Sequence, residues 1–254
     1  MNSTFVLDKG LKADPRYLTT ATYKWAPIGV SFGMDIGNKF GLQLESIKAA
    51  QGQVYEVIDA AKEVVGTRTF DMSYIQLPLM MKMMSGGSGL TRMNFQLGPQ
   101  LSILQSGTEI LEYAKSIQNL PEGELPPVDA IPLPDGTYDM PAVDSIVSST
   151  NPTDIANAAF EFKNKEIQIA AAFGLDIDIS RNMYLSTLVR ANYSFTDMRG
   201  EGLLNLLASG SYTDITKQRA NLAVGVQLAL HRMIGGTRSS NAKDKKLRDA
   251  MKSE

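Results

Sequence analysis

The side chains able to do chemistry are few, and where they fall limits what they can do. His231 is the only histidine and cysteine is absent, so a Ser-His-Asp triad or a histidine metal site has one candidate and a thiolate site has none. As a general base, His231 would need a serine or glutamate within hydrogen-bond reach. It closes an alternating run, Leu222 to His231, on the non-apolar side, the place of an interior hydrogen-bonded or rim histidine. The other candidates are charges set in otherwise uncharged alternating stretches: the acids Asp35, Glu45, Asp176 and Asp178, and the bases Lys82 and Arg190. An unpaired buried charge is costly, which predicts that Lys82 and Arg190 bridge these carboxylates. No residue pattern calls for a cofactor or metal.

The elements that must position those charges are β-strands. From Ile28 to Ile36 the apolar Ile28, Val30, Phe32, Met34 and Ile36 alternate with Gly29, Ser31, Gly33 and Asp35. After a tight turn at 38–39, Phe40, Leu42 and Leu44 alternate with Gly41, Gln43 and Glu45. Period two puts one set on each face of a strand. The pattern recurs in 74–84 (Leu77, Leu79), 93–103 (Phe95, Leu97), 167–179 (Phe173, Leu175), 184–195 and 222–230 (Val224, Val226, Leu228). A first strand lies in Phe5–Lys12 or Leu18–Tyr23, and Trp25 stands where an interfacial aromatic would anchor.

The second face decides between a soluble sandwich and a membrane barrel. A sandwich would turn Lys, Glu and Thr to water. Here that face is Gly, Ala, Ser, Gln and Asn with few charges, which suits a narrow, filled barrel interior. The charge-free apolar face suits lipid, with Val30, Phe32, Met34, Leu42, Leu77, Leu79, Phe95, Leu97, Phe173, Leu175, Val224, Val226 and Leu228 as lipid-facing residues. These seven strands and the first predict an all-β, eight-stranded antiparallel transmembrane β-barrel over residues 1–234. If the first strand rises from the periplasm, the connections 38–39, 85–91 and 180–182 are short periplasmic turns. The connections 51–71, 107–165 and 199–217 are then long outer loops.

Composition agrees. A net charge of -2 and a pI near 5.6 leave no electrostatic footprint for nucleic acid. No run reaches 18 apolar residues and the mean hydropathy is -0.12, so no transmembrane helix is expected. Residues 1–7 do not read as a secretory signal, so an outer-membrane location implies a mature chain whose signal is absent. The 51–71 stretch reads as a hairpin extension or a short helix over Ile58–Val65. The acidic, proline-rich 107–165 stretch carries possible helices at Thr108–Asn119 and near Thr153. Residues 235–254 form a polar tail rich in Lys and Arg.

The elements Tyr74-Ile-Gln-Leu-Pro-Leu79, Gln96-Leu-Gly-Pro99, Gly174-Leu-Asp176 and Leu188-Val-Arg-Ala-Asn-Tyr193, with the hairpin at 28–52, resemble the PorT-type outer-membrane β-barrel domain of Bacteroidota. The resemblance covers about residues 4–234 without most of 108–165. It implies an accessory outer-membrane component, in some members of the type IX secretion and gliding apparatus. The large acidic loop and the tail depart from the family pattern.

The function expected is therefore a non-enzymatic anchor or accessory subunit of an envelope assembly. Its partners would be outer-membrane lipid or lipopolysaccharide, and other envelope proteins through loop 107–165 and the tail. Tyr138, Lys243, Lys245, Lys246 and Arg248 are the candidate contacts. A small porin-like barrel and a lipid-modifying enzyme using His231 are the alternatives.

Overall fold

The computed structural model describes residues 2–25, 27–37, 39–58, 62–85, 90–113, 131–132, 134, 138–139, 143–145, 162–180, 182–209 and 217–234. The helix expected near Thr153 and the tail residues Lys243, Lys245, Lys246 and Arg248 lie outside them, as does the side chain of Tyr138.

The strands in chain order are β1 (Asn2–Asp8), β2 (Tyr17–Thr20), β3 (Thr22–Lys24), β4 (Ile28–Ile36), β5 (Phe40–Ile58), β6 (Val64–Met84), β7 (Thr91–Tyr113), β8 (Ile131–Pro132), β9 (Tyr138–Asp139), β10 (Val143–Ser145), β11 (Lys165–Ser180), β12 (Met183–Ser194) and β13 (Arg219–Arg232). Among the described residues two helices, α1 (Lys9–Ala13) and α2 (Glu201–Ser209), interrupt them. The fold is all-β and antiparallel: the main sheet runs β2-β5-β6-β7-β11-β12-β13-β1-β3, with β4 on β5 and β10 on β7. A separate ribbon pairs β8 with β9.

The sheet is not closed into the eight-stranded barrel that the alternation predicts. Near one end the stretch β2–β3 lies on β5 through Tyr17–Thr20 and on β1 through Thr22–Lys24. Towards the other end β4 pairs with β5, and among the described residues no pairing joins it to β13. The first strand is Asn2–Asp8, shorter than Phe5–Lys12 suggests, because Asp8 caps α1 by accepting the backbone N–H of Gly10 (2.7 Å) and Leu11 (3.1 Å).

Two other expectations change, and the 51–71 stretch takes its hairpin-extension reading rather than that of a long loop: β5 and β6 continue as one ladder from Phe40↔Met83 to Ile58↔Val64. The helix expected from Thr108 gives way to β7, which pairs with β6 as far as Tyr113. The link 199–217 contains α2. The turns between β4 and β5, β6 and β7, and β11 and β12 share one end of the sheet, here called the lower end.

The Tyr-x-x-Leu-Pro-Leu and Leu-Gly-Pro elements meet on β6 and β7, where the ladder skips Leu79 and Met80. Pro78 and Pro99 lack the N–H a ladder needs. Gly98 lies so close to β6 that a Cβ there would stand 1.9 Å from the Leu79 carbonyl oxygen. Gly98→Val should therefore destabilise the fold by at least about 1–3 kcal/mol through overpacking. Urea unfolding in detergent micelles checks this, with Leu97→Val, an outward-facing neighbour, near neutral.

Candidate functional site

Period two gives the sheet an inner face and an outer face, and the inner face of the lower half is polar and buried. Lys82 on β6 reaches Asp176 on β11 at 2.8 Å, and both side chains are buried. Asp176 also accepts from Asn94 (2.8 Å) and Ser186 (2.6 Å), while the Lys82 ammonium lies 4.9 Å from the Tyr184 ring centroid. Arg190 on β12 crosses to Glu45 on β5 at 2.5 Å. Glu45 accepts in turn from the Gln43 amide at 2.6 Å. A second Arg190 nitrogen donates to Gln100 (3.1 Å), whose amide donates to Gln168 (2.7 Å). Asp178 pairs with Arg92 at 2.7 Å, a base the sequence reading passed over.

Asp35 keeps the inward phase on β4, in the row that runs through Gly41 to Lys82. Every residue of β4 is exposed, because β4 pairs with β5 along one edge and, among the described residues, with no strand along the other. The alternation gave its phase but not its exposure.

Higher up lies a second network that the sequence reading missed. Arg219 on β13 is fully buried, donates to Asp8 (2.8 Å) and reaches Glu109 on β7 (2.9 Å). Glu109 also accepts from Arg68 Nε at 2.6 Å. Between the two networks Glu166 accepts from the Tyr74 hydroxyl (2.5 Å) and from Asn221 (2.9 Å). Around Arg219 the inner face turns apolar: Val6, Leu11, Tyr55, Phe70, Met72, Tyr74, Leu104, Phe162 and Met198 form one buried cluster. Burial pushes the Tyr55 phenol up to about 12, and its hydroxyl donates to the Val6 carbonyl.

The outer face changes in the opposite sense. Along β6 it reads Thr67, Thr69, Asp71 and Ser73 in the upper half and Ile75, Leu77, Leu79, Met81 and Met83 below. All thirteen residues assigned to lipid lie on outer positions; Leu77 is half-buried and the other twelve are exposed. One cross-strand row, Phe40–Met83–Phe95–Phe173–Val189–Val226, runs apolar across six strands. On β7 the apolar outer residues extend from Met93 to Ile103, about 34 Å along the strand and about 26 Å in height at a tilt near 40°. Trp25, Tyr23 and the edge-to-face pair Tyr193–Phe195, with centroids 5.3 Å apart, are exposed beside the upper part of this band.

His231, the candidate base, stacks flat on Tyr184 near the lower end, with ring centroids 4.5 Å apart. Among the described residues no three His, Asp or Glu side chains gather as a metal would require. No helix among them is long and apolar enough to cross a membrane, which says nothing about crossing by strands. No protein-family model matches the chain, and no curated protein does.

Removing one partner of a buried pair strands the other, at a cost of about 3–5 kcal/mol. Arg190→Met should lose that much, Glu45→Gln less, and the double variant should recover part of the loss in a double-mutant cycle read by urea unfolding. Above the band, partial burial would raise the Asp197 pKa, but hydrogen bonds from Arg199 (2.7 Å and 3.0 Å) and from the Arg219 backbone N–H (3.1 Å) hold it below the usual range. The folded state thus favours the carboxylate: this stabilisation is full above the ordinary aspartate pKa, about 4, and disappears as pH falls through the lower folded value. Asp197→Asn should lower the thermal midpoint at pH 7, with the gap closing below about pH 3.

Proposed function

We propose that the chain is a non-enzymatic outer-membrane β-barrel protein serving as an anchor or accessory subunit of an envelope assembly. The observation that carries this reading is the change of the outer face between Ser73 and Ile75. Below it the outside is apolar over an interior rich in amides and ion pairs; above it the outside of β6 is polar, over an interior where an apolar cluster surrounds the buried Arg219, Arg68, Asp8 and Glu109. A single solvent gives no reason for that switch, whereas lipid below and water above does. The height of the band, about 26 Å, fits the roughly 25 Å apolar belt of such barrels. In this reading the wall is the eight-stranded barrel of the sequence analysis, with short turns facing the periplasm. The motifs at Tyr74–Leu79 and Gln96–Pro99 point to the PorT-type family.

The filled interior favours anchoring over transport. Side chains from opposite walls meet through Arg190–Glu45 and Arg219–Glu109, and an ion would have to part these pairs to pass. Outer segment 107–165 and tail 235–254 are the proposed contacts with partners. The Lys and Arg residues of the tail suit an acidic partner surface, and Tyr138 supplies an aromatic contact outside.

Expressed with a secretion signal, the tagged chain should partition with the outer membrane, migrate faster on gels unboiled than boiled, and show no conductance steps in planar bilayers. A mild-detergent pull-down should recover it in stoichiometric complex with other envelope proteins. Recovery as a lone 27.7 kDa species overturns the accessory role, and partition into the soluble fraction overturns the membrane location.

A further inference from the structure

The open seam of the sheet has the dimensions of one missing strand. At its upper end β1 fills the space between β3 and β13, with Asn2 facing Lys24 on one side and Gly225 on the other. Those two neighbours therefore stand two strand spacings apart, about 9.6 Å. Below Asn2, β13 continues through Val226–Arg232 and β4 through Ile28–Ile36. Neither has a partner on the edge facing the seam among the described residues. The seven residues left of β13 span about 20 Å along the strand, about 16 Å of the band's height at the same tilt. Between the two edges lies a cavity of about 1090 Å³, lined also by Glu45, Gln76, Lys82, Tyr184 and Arg190. Gln76 is 1% exposed and its amide nitrogen has no acceptor.

Resting on the membrane reading above, we propose that this slot holds one more β-strand, continuous with β1 on its amino-terminal side. Unpaired strand edges do not persist in hydrocarbon, because each bare N–H and C=O there costs several kcal/mol. Lipid or detergent tails cannot satisfy those groups, but a strand antiparallel to both edges satisfies them all. Its outward residues are apolar, continuing Val226 and Leu228 on one lip and Val30 and Phe32 on the other. Its inward residues are small or carry amides, and one of them accepts the Gln76 N–H. A strand lent by another chain would meet Asn2 end-on partway up the wall, and would have to stop there or leave through lipid with its amides bare. The tail 235–254 follows β13 at the lower end of the slot, but Arg238, Lys243, Lys245, Lys246 and Arg248 disqualify it from a lipid-facing wall.

The test joins a nine-residue segment, Ser-Val-Gly-Val-Asn-Leu-Gly-Val-Ser, ahead of residue 1, with a scrambled segment of the same composition as control. Amide exchange is followed in micelles at 28–36 and 226–232. The alternating segment should slow exchange at both edges at least about tenfold, and the scrambled one should not. No slowing, or edges already as protected as β6 and β7 in the chain alone, overturns the proposal. The cysteine-free sequence allows a second reading that does not depend on the extension folding well. Cysteines at Val30, Phe32 or Met34, each paired with one at Val226, Leu228 or Leu230, should form no direct disulfide, because the Cα atoms of a disulfide lie within about 7 Å. Ready disulfide formation means that the edges meet and overturns the slot. Failure of the membrane reading looks different: the chain then stays soluble without detergent, whatever the edges do.

Discussion

Guanidinium groups that cross the interior are the interaction on which the rest of the structure depends. Arg219 joins β13 to Asp8 at the end of β1 and to Glu109 on β7, and Arg190 joins β12 to Glu45 on β5. β1 is the neighbour of β13, but β13 and β7, like β12 and β5, are apart in the sheet order, so Arg219–Glu109 and Arg190–Glu45 fix how the sheet curls as well as how it is neutralised. Each pair sits where removing one partner leaves a charge without water. Asp8 couples this to the chain's path, because the carboxylate that holds Arg219 also caps α1 and accepts the Lys217 N–H at 3.0 Å. The turn from β1 into α1 and the entry into β13 are thereby held at one point.

The lower half of the sheet was legible because period two needs only residue types, and Ile75 to Met83 or Met93 to Ile103 carry it without error. The upper half was not, for two reasons. Above Ser73 the outer residues are Thr67, Thr69 and Asp71, so a search for an apolar outer face ends there although the ladder continues. On β7 the ladder shifts where Tyr74 faces Leu104 and Ser73 faces Ser106, which leaves Gln105 as an extra residue. Inward residues are even-numbered before Gln105 and odd-numbered after it, which hid Glu109. Arg68 and Arg219 keep the inward phase of their strands and were available to a reading that carried the alternation further. Asp35 shows the converse: phase assigns a face, but burial needs a neighbour.

The same sheet thus carries two cores of opposite sense. The apolar cluster around Phe70 lies inside a wall with a polar exterior, the arrangement of a barrel in water. The amides and ion pairs around Arg190 lie inside a wall with an apolar exterior. Continuous strands of 19 to 23 residues pass through both, so neither half can shift register without the other. A one-residue slip in β6 would turn Lys82 and Arg68 outward together and bring Met81 and Thr69 in. The lower half alone would resist that slip through the cost of a bare ammonium in an apolar belt, and the upper half through the loss of Phe70 and Met72 from their cluster.

That double penalty bears on what such a protein is for. A channel must let its interior groups exchange partners with what passes, and an enzyme must leave a reactive group open to substrate. Here Lys82, Arg190 and Arg219 are all committed to carboxylates on other strands, and the lone histidine is stacked against Tyr184. The connection after β7 and the residues after β13 carry the proposed partner contacts, Tyr138 and the Lys and Arg residues of the tail. A self-neutralised wall has the properties of a mount, which supports the proposal that the binding surfaces lie beyond the strands rather than among them.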